Sequence, residues 1–201
     1  MKTIKYLFKN PLPDEFFWFN EPTTFEVGEG LQIWTDPDTD FWQRTHYGFR
    51  NDNGHCLLKP VTGDFAVATE VQFKPQGKYD QCGLVLRLDA DNWIKASVEY
   101  LGGESSSKLG SVVTNLGYSD WATQAISADV DHLWYRASKR GPDVRLDFSL
   151  DGQTWQQMRI CHLHQPSEEI AVGVYACSPM NGRLWCRFVW LSYGENEWEQ
   201  E

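Results

Sequence analysis

The stretch Asp91–Tyr100, DNWIKASVEY, decides the fold because its residues alternate between two faces of an extended chain. One face carries Ile94, Ala96, Val98 and Tyr100. The other face carries Trp93, Lys95, Ser97 and Glu99. Apolar residues at steps of two predict a β-strand with one side in the core. A large aromatic residue, a base and an acid on the other side suit either solvent or a bound ligand.

The rest of the chain repeats this period of two. Turn residues such as Gly63-Asp64, Gly102-Gly103, Asp151-Gly152 and Asn181-Gly182 separate the alternating segments. No long segment shows the roughly 3.6-residue period of an amphipathic helix. Short strands at this spacing predict an all-β sandwich or barrel. The other predicted strands cover 65–73, 83–89, 109–116, 132–139, 144–150, 154–160, 170–177 and 184–193.

Composition limits the domain count and the classes of partner. The chain has 201 residues, enough for a sizeable core, and contains neither a repeat nor a linker, so we expect residues 1–201 to form one domain. The formal net charge of -10 argues against nucleic acid, because phosphate contacts need clustered Lys and Arg. It also argues against anionic membrane surfaces. No segment approaches the ~20 apolar residues of a membrane-spanning helix.

The N-terminal segment and the cysteines bear on location. Lys9, Asn10 and Pro11 interrupt the apolar run of roughly 7–15 residues that a secretory signal would need. The cysteines number five, an odd count, and none form a CxxC pair. Free thiols fit a reducing compartment. We therefore expect a cytoplasmic protein without disulfides.

The turn at 90–92 determines how the opening strand pairs with strand 83–89. A four-residue loop would place Lys95 on the leucine face of its neighbour and bury a charge there. A three-residue loop, with Asn92 in the left-handed conformation that Asn tolerates, pairs Arg87 with Lys95 and keeps every leucine on the core side. A consistent core face favours this second register.

Two like charges side by side are unfavourable unless something negative lies near them. Glu70 lies on the outer side of strand 65–73, so it would flank the basic pair together with Glu99 if strands 65–73 and 83–89 are neighbours. One interpretation is a solvated face with weakly paired charges. The other is a polar basin with an aromatic platform, over which Trp121 acts as a lid unless it closes the sandwich end. The predicted ligand-binding residues are Glu70, Gln72, Arg87, Trp93, Lys95, Glu99 and Trp121.

Several strings occur in one order along the chain. They are Asn20-Glu21-Pro22, Asp40-Phe41-Trp42, Gly83-Leu84 through Arg87, Asn92-Trp93-Ile94-Lys95 with Glu99, Ser111-Val-Val-Thr114, Ser119-Asp120-Trp121 and Ser149-Leu-Asp-Gly-Gln-Thr-Trp155. Together they resemble the DUF1349 family, which is related to the fungal regulation of enolase protein group. The resemblance covers roughly residues 15–193. It implies a concanavalin A-like lectin/glucanase jelly roll of two antiparallel sheets, one of them concave, and it implies a fold more than a function.

Catalytic and metal sites have few candidates. Glycoside hydrolysis needs two carboxylates, about 5–5.5 Å apart for retention. Concanavalin A-like glucanases commonly carry a Glu-x-Asp-x-x-Glu motif, which this chain lacks, so the catalytic candidates are Glu99 with Glu70, or Glu99 with Asp80. His162 and His164 would share one face of an extended segment without a third ligand. We therefore expect neither a metal nor a cofactor.

The leading hypothesis is a protein that binds a carbohydrate or related polyhydroxy ligand, including a sugar acid, on the concave sheet face. Aromatic faces stack on sugar rings, while Arg, Lys and Glu form hydrogen bonds with hydroxyls. Two alternatives stay open, a glycan-acting hydrolase or lyase and a protein-interaction module that regulates a metabolic enzyme. A buried carboxylate pair would favour the enzyme, and a broad exposed apolar patch would favour a protein partner.

Overall fold

A computed structural model describes residues 3–165, 167–196 and 198. Every regular secondary-structure element in these ranges is a β-strand. The all-β prediction is therefore confirmed. No helix in the described ranges is long and apolar enough to cross a bilayer. The strands are β1 Ile4–Tyr6, β2 Phe17–Phe19, β3 Thr24–Gly28, β4 Gly30–Trp34, β5 Phe41–Gln43, β6 Arg50–Asp52, β7 His55–Thr62, β8 Phe65–Lys74, β9 Gln81–Asp89, β10 Asn92–Glu99, β11 Ser106–Asn115, β12 Tyr118–Ser127, β13 His132–Arg140, β14 Asp143–Ser149, β15 Gln156–His162, β16 Glu169–Cys177 and β17 Trp185–Gly194.

The described strands form two large antiparallel sheets and one small hairpin. The first sheet has the order β15-β14-β13-β8-β17-β4-β3, with β1 also paired to β17. The second has the order β12-β11-β10-β9-β16-β7-β2. Strands β5 and β6 pair only with each other among these elements. The prediction of two antiparallel sheets is confirmed.

The sandwich core follows from the alternation of apolar residues. Ile94, Ala96 and Val98 on β10 join one buried cluster with the leucines of β9 and with apolar residues of the first sheet such as Val67 and Val71. Full burial of an Ile, Leu or Val side chain contributes about 1.5–3 kcal/mol to the stability of the fold. All five cysteines are free thiols, and four of them are buried.

The β9–β10 pair keeps the predicted faces but not the predicted register. Its turn has two residues, because Asn92 pairs with Asp89, and a bulge follows between Asn92 and Trp93. Lys95 consequently lies opposite Val85, so the prediction that Arg87 and Lys95 are direct neighbours is wrong. The displacement is two residues, an even number, which leaves each side chain on its predicted side of the sheet.

Asn92 is also outside the left-handed region that the three-residue loop required. Its side chain is buried and anchors two turns instead. The amide nitrogen donates to Asp89 Oδ1 at 3.0 Å, and the amide oxygen accepts from the Leu116 backbone N–H at 3.0 Å. The predicted position of the turn is therefore correct, but its predicted length of three residues is wrong.

The predicted adjacency of strands 65–73 and 83–89 is wrong. Strand β8 lies between β13 and β17 in the first sheet, whereas β9 lies between β10 and β16 in the second. Glu70 and Gln72 do point away from the core, but from the outer face of the first sheet. They are thus separated by the whole sandwich from Glu99, which is on the outer face of the second sheet.

Candidate functional site

The β5–β6 hairpin lies over the outer face of the second sheet and encloses a cavity of about 250 Å³, which we call the hairpin cavity. Strands β9, β10, β11 and β12 supply its floor and one wall, and the hairpin supplies the opposite wall. The lining residues are Asp40, Phe41, Trp42, Tyr47, Phe49, Tyr79, Gln81, Lys95, Glu99, Lys108, Val112, Trp121 and Pro179.

Polar contacts hold strand β5 against the turns of the second sheet. The Gln43 backbone N–H donates to Ser119 Oγ at 2.9 Å, and its side-chain amide donates to the Ala90 carbonyl at 3.0 Å. Arg44 Nη1 donates to the Gly117 carbonyl at 2.8 Å. Gly117 has φ +77°, and a Cβ there would lie 2.1 Å from Arg44 Nη1. A glycine is therefore needed where the hairpin meets the β11–β12 turn.

Arg87 holds the other strand of the hairpin. Its Nη1 and Nη2 donate to the two carboxylate oxygens of Asp52 at 2.7 and 2.8 Å, and its guanidinium lies 4.1 Å from the Phe19 ring centroid. Arg87 is only 9% exposed and does not line the hairpin cavity. The structure thus places this predicted ligand-binding residue behind the cavity wall.

Trp93 is also behind the wall. The prediction of an exposed aromatic platform at this residue is wrong, because Trp93 is 1% exposed. Its ring packs 5.7 Å from that of Phe41 on the hairpin, and its indole N–H donates to the Ala90 carbonyl at 3.2 Å. The hairpin covers this part of the sheet face.

The aromatic walls come mainly from residues that the alternating pattern of the strands does not single out. Trp121 was predicted and does line the cavity, edge-on to Trp42 at 6.5 Å. Tyr47 and Phe49 are 56% and 45% exposed and stack at 5.7 Å, and Tyr79 lies at the rim. The sequence signal for these walls is the presence of four aromatic residues within 41–49. Nothing in that segment indicates which sheet it covers.

The polar floor is built around Lys95. Its ammonium donates to Gln81 Oε1 at 2.7 Å and lies 3.8 Å from Asp40 Oδ1 on the hairpin. The Tyr175 hydroxyl also donates to Gln81 Oε1, at 3.1 Å. Lys95 is 4% exposed, so these partners compensate for the desolvation of its charge.

Glu99 lies next to this network with its carboxyl half-buried. Burial raises the pKa of Glu99 to about 7, an effect that Lys95 opposes and Asp40 reinforces. Gln81 and Lys108 are its partners on the neighbouring strands, and Gln81 Nε2 lies 3.5 Å from Glu99 Oε2. Lys108 Nζ lies 4.6 Å above the Trp121 ring. Within the described residues, neither Glu99 nor Lys108 has an oppositely charged atom within 4 Å.

A row of small residues crosses the floor next to these charges. In the sheet register Ser97 pairs with Gly83 on one side and with Gly110 on the other. Ser97 and Gly110 line a narrow recess between Glu99, Lys108 and Trp121, and these last three residues also line the main cavity. The recess has room for about one water molecule or hydroxyl group.

Glu70 and Gln72 have partners of their own on the first sheet. Glu70 accepts from Trp190 Nε1 at 2.7 Å and lies 3.0 Å from His132 Nε2. Gln72 accepts from Arg187 Nη2 at 2.8 Å. Since Glu70 and Glu99 are on opposite faces of the sandwich, the structure does not bring together this predicted catalytic pair.

The second predicted pair fails for a different reason. Asp80 is 2% exposed and accepts hydrogen bonds from the Gln76 and Gly77 backbone N–H groups at 2.8 Å and from Ser178 Oγ at 2.6 Å. It does not line the hairpin cavity. The carboxylate that shares the cavity with Glu99 is Asp40, which was not predicted.

The side chains of His162 and His164 lie next to each other near Asp143. His162 Nδ1 lies 2.6 Å from Asp143 Oδ1, and the His162 and His164 rings are 5.4 Å apart. The described residues contain no group of three or more His, Cys, Asp or Glu side chains placed to hold a metal ion.

Comparison with known proteins shows similarity both in sequence and in structure. A family model described as a protein of unknown function (DUF1349) matches residues 18–196. Regulation of enolase protein 1 of Saccharomyces cerevisiae is 34% identical over 177 residues, which are 88% of this chain and 87% of that protein. A crystal structure of a functionally unknown protein from Saccharomyces cerevisiae is 31% identical with a TM-score of 0.79, covering 92% of this chain and 95% of that one.

A more distant structure shows the fold alone. The GH43 BlXynB protein from Bacillus licheniformis superposes with a TM-score of 0.72 at 17% identity. The match covers 94% of this chain and 38% of that protein. The predicted jelly-roll sandwich is therefore confirmed as an architecture that also occurs within a larger glycoside hydrolase.

Proposed function

The chain belongs to the DUF1349 family, and we propose that it binds a carbohydrate or related polyhydroxy ligand, including a sugar acid, in the hairpin cavity. The observation that carries the proposal is the combination of aromatic walls with a polar, preorganised floor in one cavity of about 250 Å³. Sites for drug-sized ligands span about 300–1,000 Å³. The hairpin cavity therefore suits a small ligand of about one or two sugar rings.

The walls offer aromatic faces to the apolar side of a sugar ring. Trp42 and Trp121 meet edge-on, which leaves their faces turned in different directions. The exposed, stacked rings of Tyr47 and Phe49 extend the same surface toward solvent. Pairs of aromatic rings contribute about 0.5–1.5 kcal/mol each beyond the area that they bury, which helps to hold these walls in place.

The floor offers both donors and acceptors, which a hydroxyl group needs because it donates one hydrogen bond and accepts others. Lys95 supplies donors, Asp40 supplies acceptors, and Glu99 supplies either according to its protonation. The contacts among Lys95, Gln81 and Tyr175 fix these groups before a ligand arrives. Preorganisation lowers the ordering cost of binding.

The proposal extends to the setting of the protein. We propose a cytoplasmic location, supported by five free cysteines. The net charge of -10 supports a partner other than nucleic acid or an anionic membrane.

A hydrolase or lyase acting on glycans is the second candidate. It is favoured by the presence of two carboxyl groups, Asp40 and Glu99, in the same cavity, since a pKa of about 7 suits Glu99 to general acid catalysis. Release of new reducing ends from an oligosaccharide panel, abolished by Glu99→Gln, would support this candidate. Oligosaccharides that stay intact after prolonged incubation would contradict a hydrolase or lyase and would support binding without catalysis.

A protein-interaction module that regulates a metabolic enzyme is the third candidate. It is favoured by the name of the relative, Regulation of enolase protein 1, and by the exposed rings of Tyr47 and Phe49 at the cavity rim. Co-purification of an enzyme by the wild-type chain but not by Tyr47→Ala would favour it over a sugar ligand.

Thermal shift with a panel of saccharides and sugar acids tests the leading proposal. A ligand present at about 100 times its Kd stabilises the native state by about 2.7 kcal/mol, which raises the Tm by roughly 5–11 °C for a chain of this length. The shift should disappear in Trp121→Ala and persist in the matched variant Trp155→Ala, whose ring lies under Arg136 on β13 of the first sheet. No shift with any compound, or an equal shift in both variants, would contradict the proposal.

A further inference from the structure

We infer that the ligand of the hairpin cavity is an anionic polyhydroxy compound, such as a sugar acid or a sugar phosphate. The inference rests on the proposed function, because it names the kind of polyhydroxy ligand that the same cavity selects. Its basis is the way in which the charged residues that line the cavity are paired.

The cavity carries less negative charge than the chain as a whole. The chain has 18 Lys and Arg residues against 28 Asp and Glu residues. The charged residues that line the cavity are two lysines, Lys95 and Lys108, and two acids, Asp40 and Glu99. Their charges balance when Glu99 is ionised, and one positive charge is in excess when Glu99 is protonated.

The two basic groups of the floor differ in how they are paired. Lys95 is already engaged by Gln81 and by Asp40. Lys108 stands across the register from Glu99 and over Trp121, yet no carboxylate of the described residues lies within 4 Å of its ammonium. The recess above Gly110 lies beside it. An anionic ligand group at this position would receive a charge-assisted hydrogen bond from Lys108.

Glu99 supplies a pH-sensitive second contact. The groups that face it are Lys95 on its own strand, Lys108 on β11, Gln81 on β9, Lys78 before β9, Asp40 on the hairpin and the Cys177 thiol on β16. An ionised Glu99 repels a ligand anion, whereas a protonated one can donate a hydrogen bond to it. Burial holds the pKa of Glu99 at about 7 in the free protein. Binding of an anion should raise that pKa further, as Asp40 already does, so binding takes up a proton.

This linkage sets the sign and the size of the pH effect. If the bound anion raises the pKa of Glu99 by about one unit, affinity at pH 6 exceeds affinity at pH 8 about fivefold. A neutral sugar has no charge to couple with Glu99, so its affinity should change little over the same range.

The test compares matched neutral and anionic probes. We would measure binding of glucose, glucuronate and glucose 6-phosphate, and of the corresponding galactose series, by calorimetry at pH 6 and pH 8. We expect at least one anionic probe to bind about tenfold more tightly than its neutral parent. Preference for the carboxylate or the phosphate member then identifies which anionic group the cavity selects.

Three variants separate the contributions. Lys108→Met should remove most of the advantage of the anion. The pH comparison uses the sugar acids, because a phosphate group itself titrates near pH 6. For these, Glu99→Gln should abolish the pH dependence and give the higher affinity at both pH values. Glu29→Gln, an exposed carboxylate in the β3–β4 turn of the first sheet, is the matched control and should leave both properties unchanged. Calorimetry of the sugar acids in two buffers with different ionisation heats should show proton uptake that Glu99→Gln lacks.

The outcomes distinguish this inference from the function on which it rests. Equal or tighter binding of the neutral parent sugars, with no pH dependence, would overturn the preference for anions while supporting a carbohydrate site. Failure of every probe and every member of the saccharide panel to bind would overturn both.

Discussion

Replacing Arg87 with alanine tests whether the cavity depends on the attachment of the β5–β6 hairpin to the sheet. The Arg87 side chain is nearly buried, makes a two-pronged ion pair with Asp52 at 2.7 and 2.8 Å, and lies over the Phe19 ring. Alanine would leave the carboxylate of Asp52, on strand β6 of the hairpin, without its counter-ion. The hairpin should then detach more readily, although Arg87 itself does not line the cavity.

The expected magnitude follows from the burial of the two partners. Removing one member of a fully buried ion pair costs about 3–5 kcal/mol. The Asp52 side chain is 23% exposed, so water can replace part of the lost contact. Loss of the guanidinium–ring contact adds about 0.5–2 kcal/mol. We therefore expect a net loss of about 2–4 kcal/mol, or roughly 4–16 °C in Tm.

The assay is urea denaturation of the wild type, Arg87→Ala, Asp52→Ala and the double variant, together with calorimetry of any ligand found in the panel. The pair should show a coupling energy of at least about 1 kcal/mol, and both single variants should weaken the ligand to a similar extent. A wild-type urea midpoint for Arg87→Ala would refute the reasoning. Loss of ligand affinity in Arg87→Ala but not in Asp52→Ala would show that the arginine touches the ligand.

Three further substitutions test the assignment of faces and charges. Trp93→Ala should cost about 3–5 kcal/mol in urea denaturation, because it empties a buried site under the hairpin, and a cost below ~0.5 kcal/mol would mean that the ring is exposed. Val98→Ala, on the core side of the same strand, should cost about 1–3 kcal/mol, and an unchanged midpoint would contradict its burial. Burial raises the pKa of Glu99 to about 7, so the folded state loses stability as the pH rises from about 4.5 through 7. A pKa raised from 4.5 to about 7 corresponds to about 3 kcal/mol, and the partial exposure of Glu99 reduces that figure. Glu99→Gln should therefore match the wild type near pH 4 and exceed it by about 2 kcal/mol at pH 8, whereas an equal difference at both pH values would show that Glu99 is not desolvated.

The sequence was sufficient to assign faces, because a period of two leaves only two choices for each side chain. Ile94 and Val98 face the core, and Lys95 and Glu99 face the cavity, despite a register that differs by two residues from the prediction. Alternation carries no information about which strands are neighbours. Strand β8 pairs with β13 and β17, which lie far along the chain, so the grouping of Glu70 with Glu99 could not be checked from local pattern.

The parts of the site that the sequence did not predict depend on how a segment distant in sequence packs against the second sheet. The segment 41–52 folds back over the second sheet, and only this placement turns Trp93 from an outward residue into a buried one and brings Trp42 opposite Trp121. Its anchors are hydrogen bonds and ion pairs between distant segments, such as Arg87 with Asp52. Contacts of this kind leave no periodic signal in a sequence.

The position of β17 has a consequence for synthesis. This late strand, residues 185–194, lies inside the first sheet between β8 and β4, both of which are complete by residue 74. During translation more than a hundred further residues must therefore be made before β17 can pair with these strands. Until then the first sheet has unpaired edges and the core is incomplete. Such non-local pairing folds slowly, and an open edge can capture a strand from another chain. A nascent chain that stalls before residue 185 should therefore aggregate more readily than a chain in which β17 has been made.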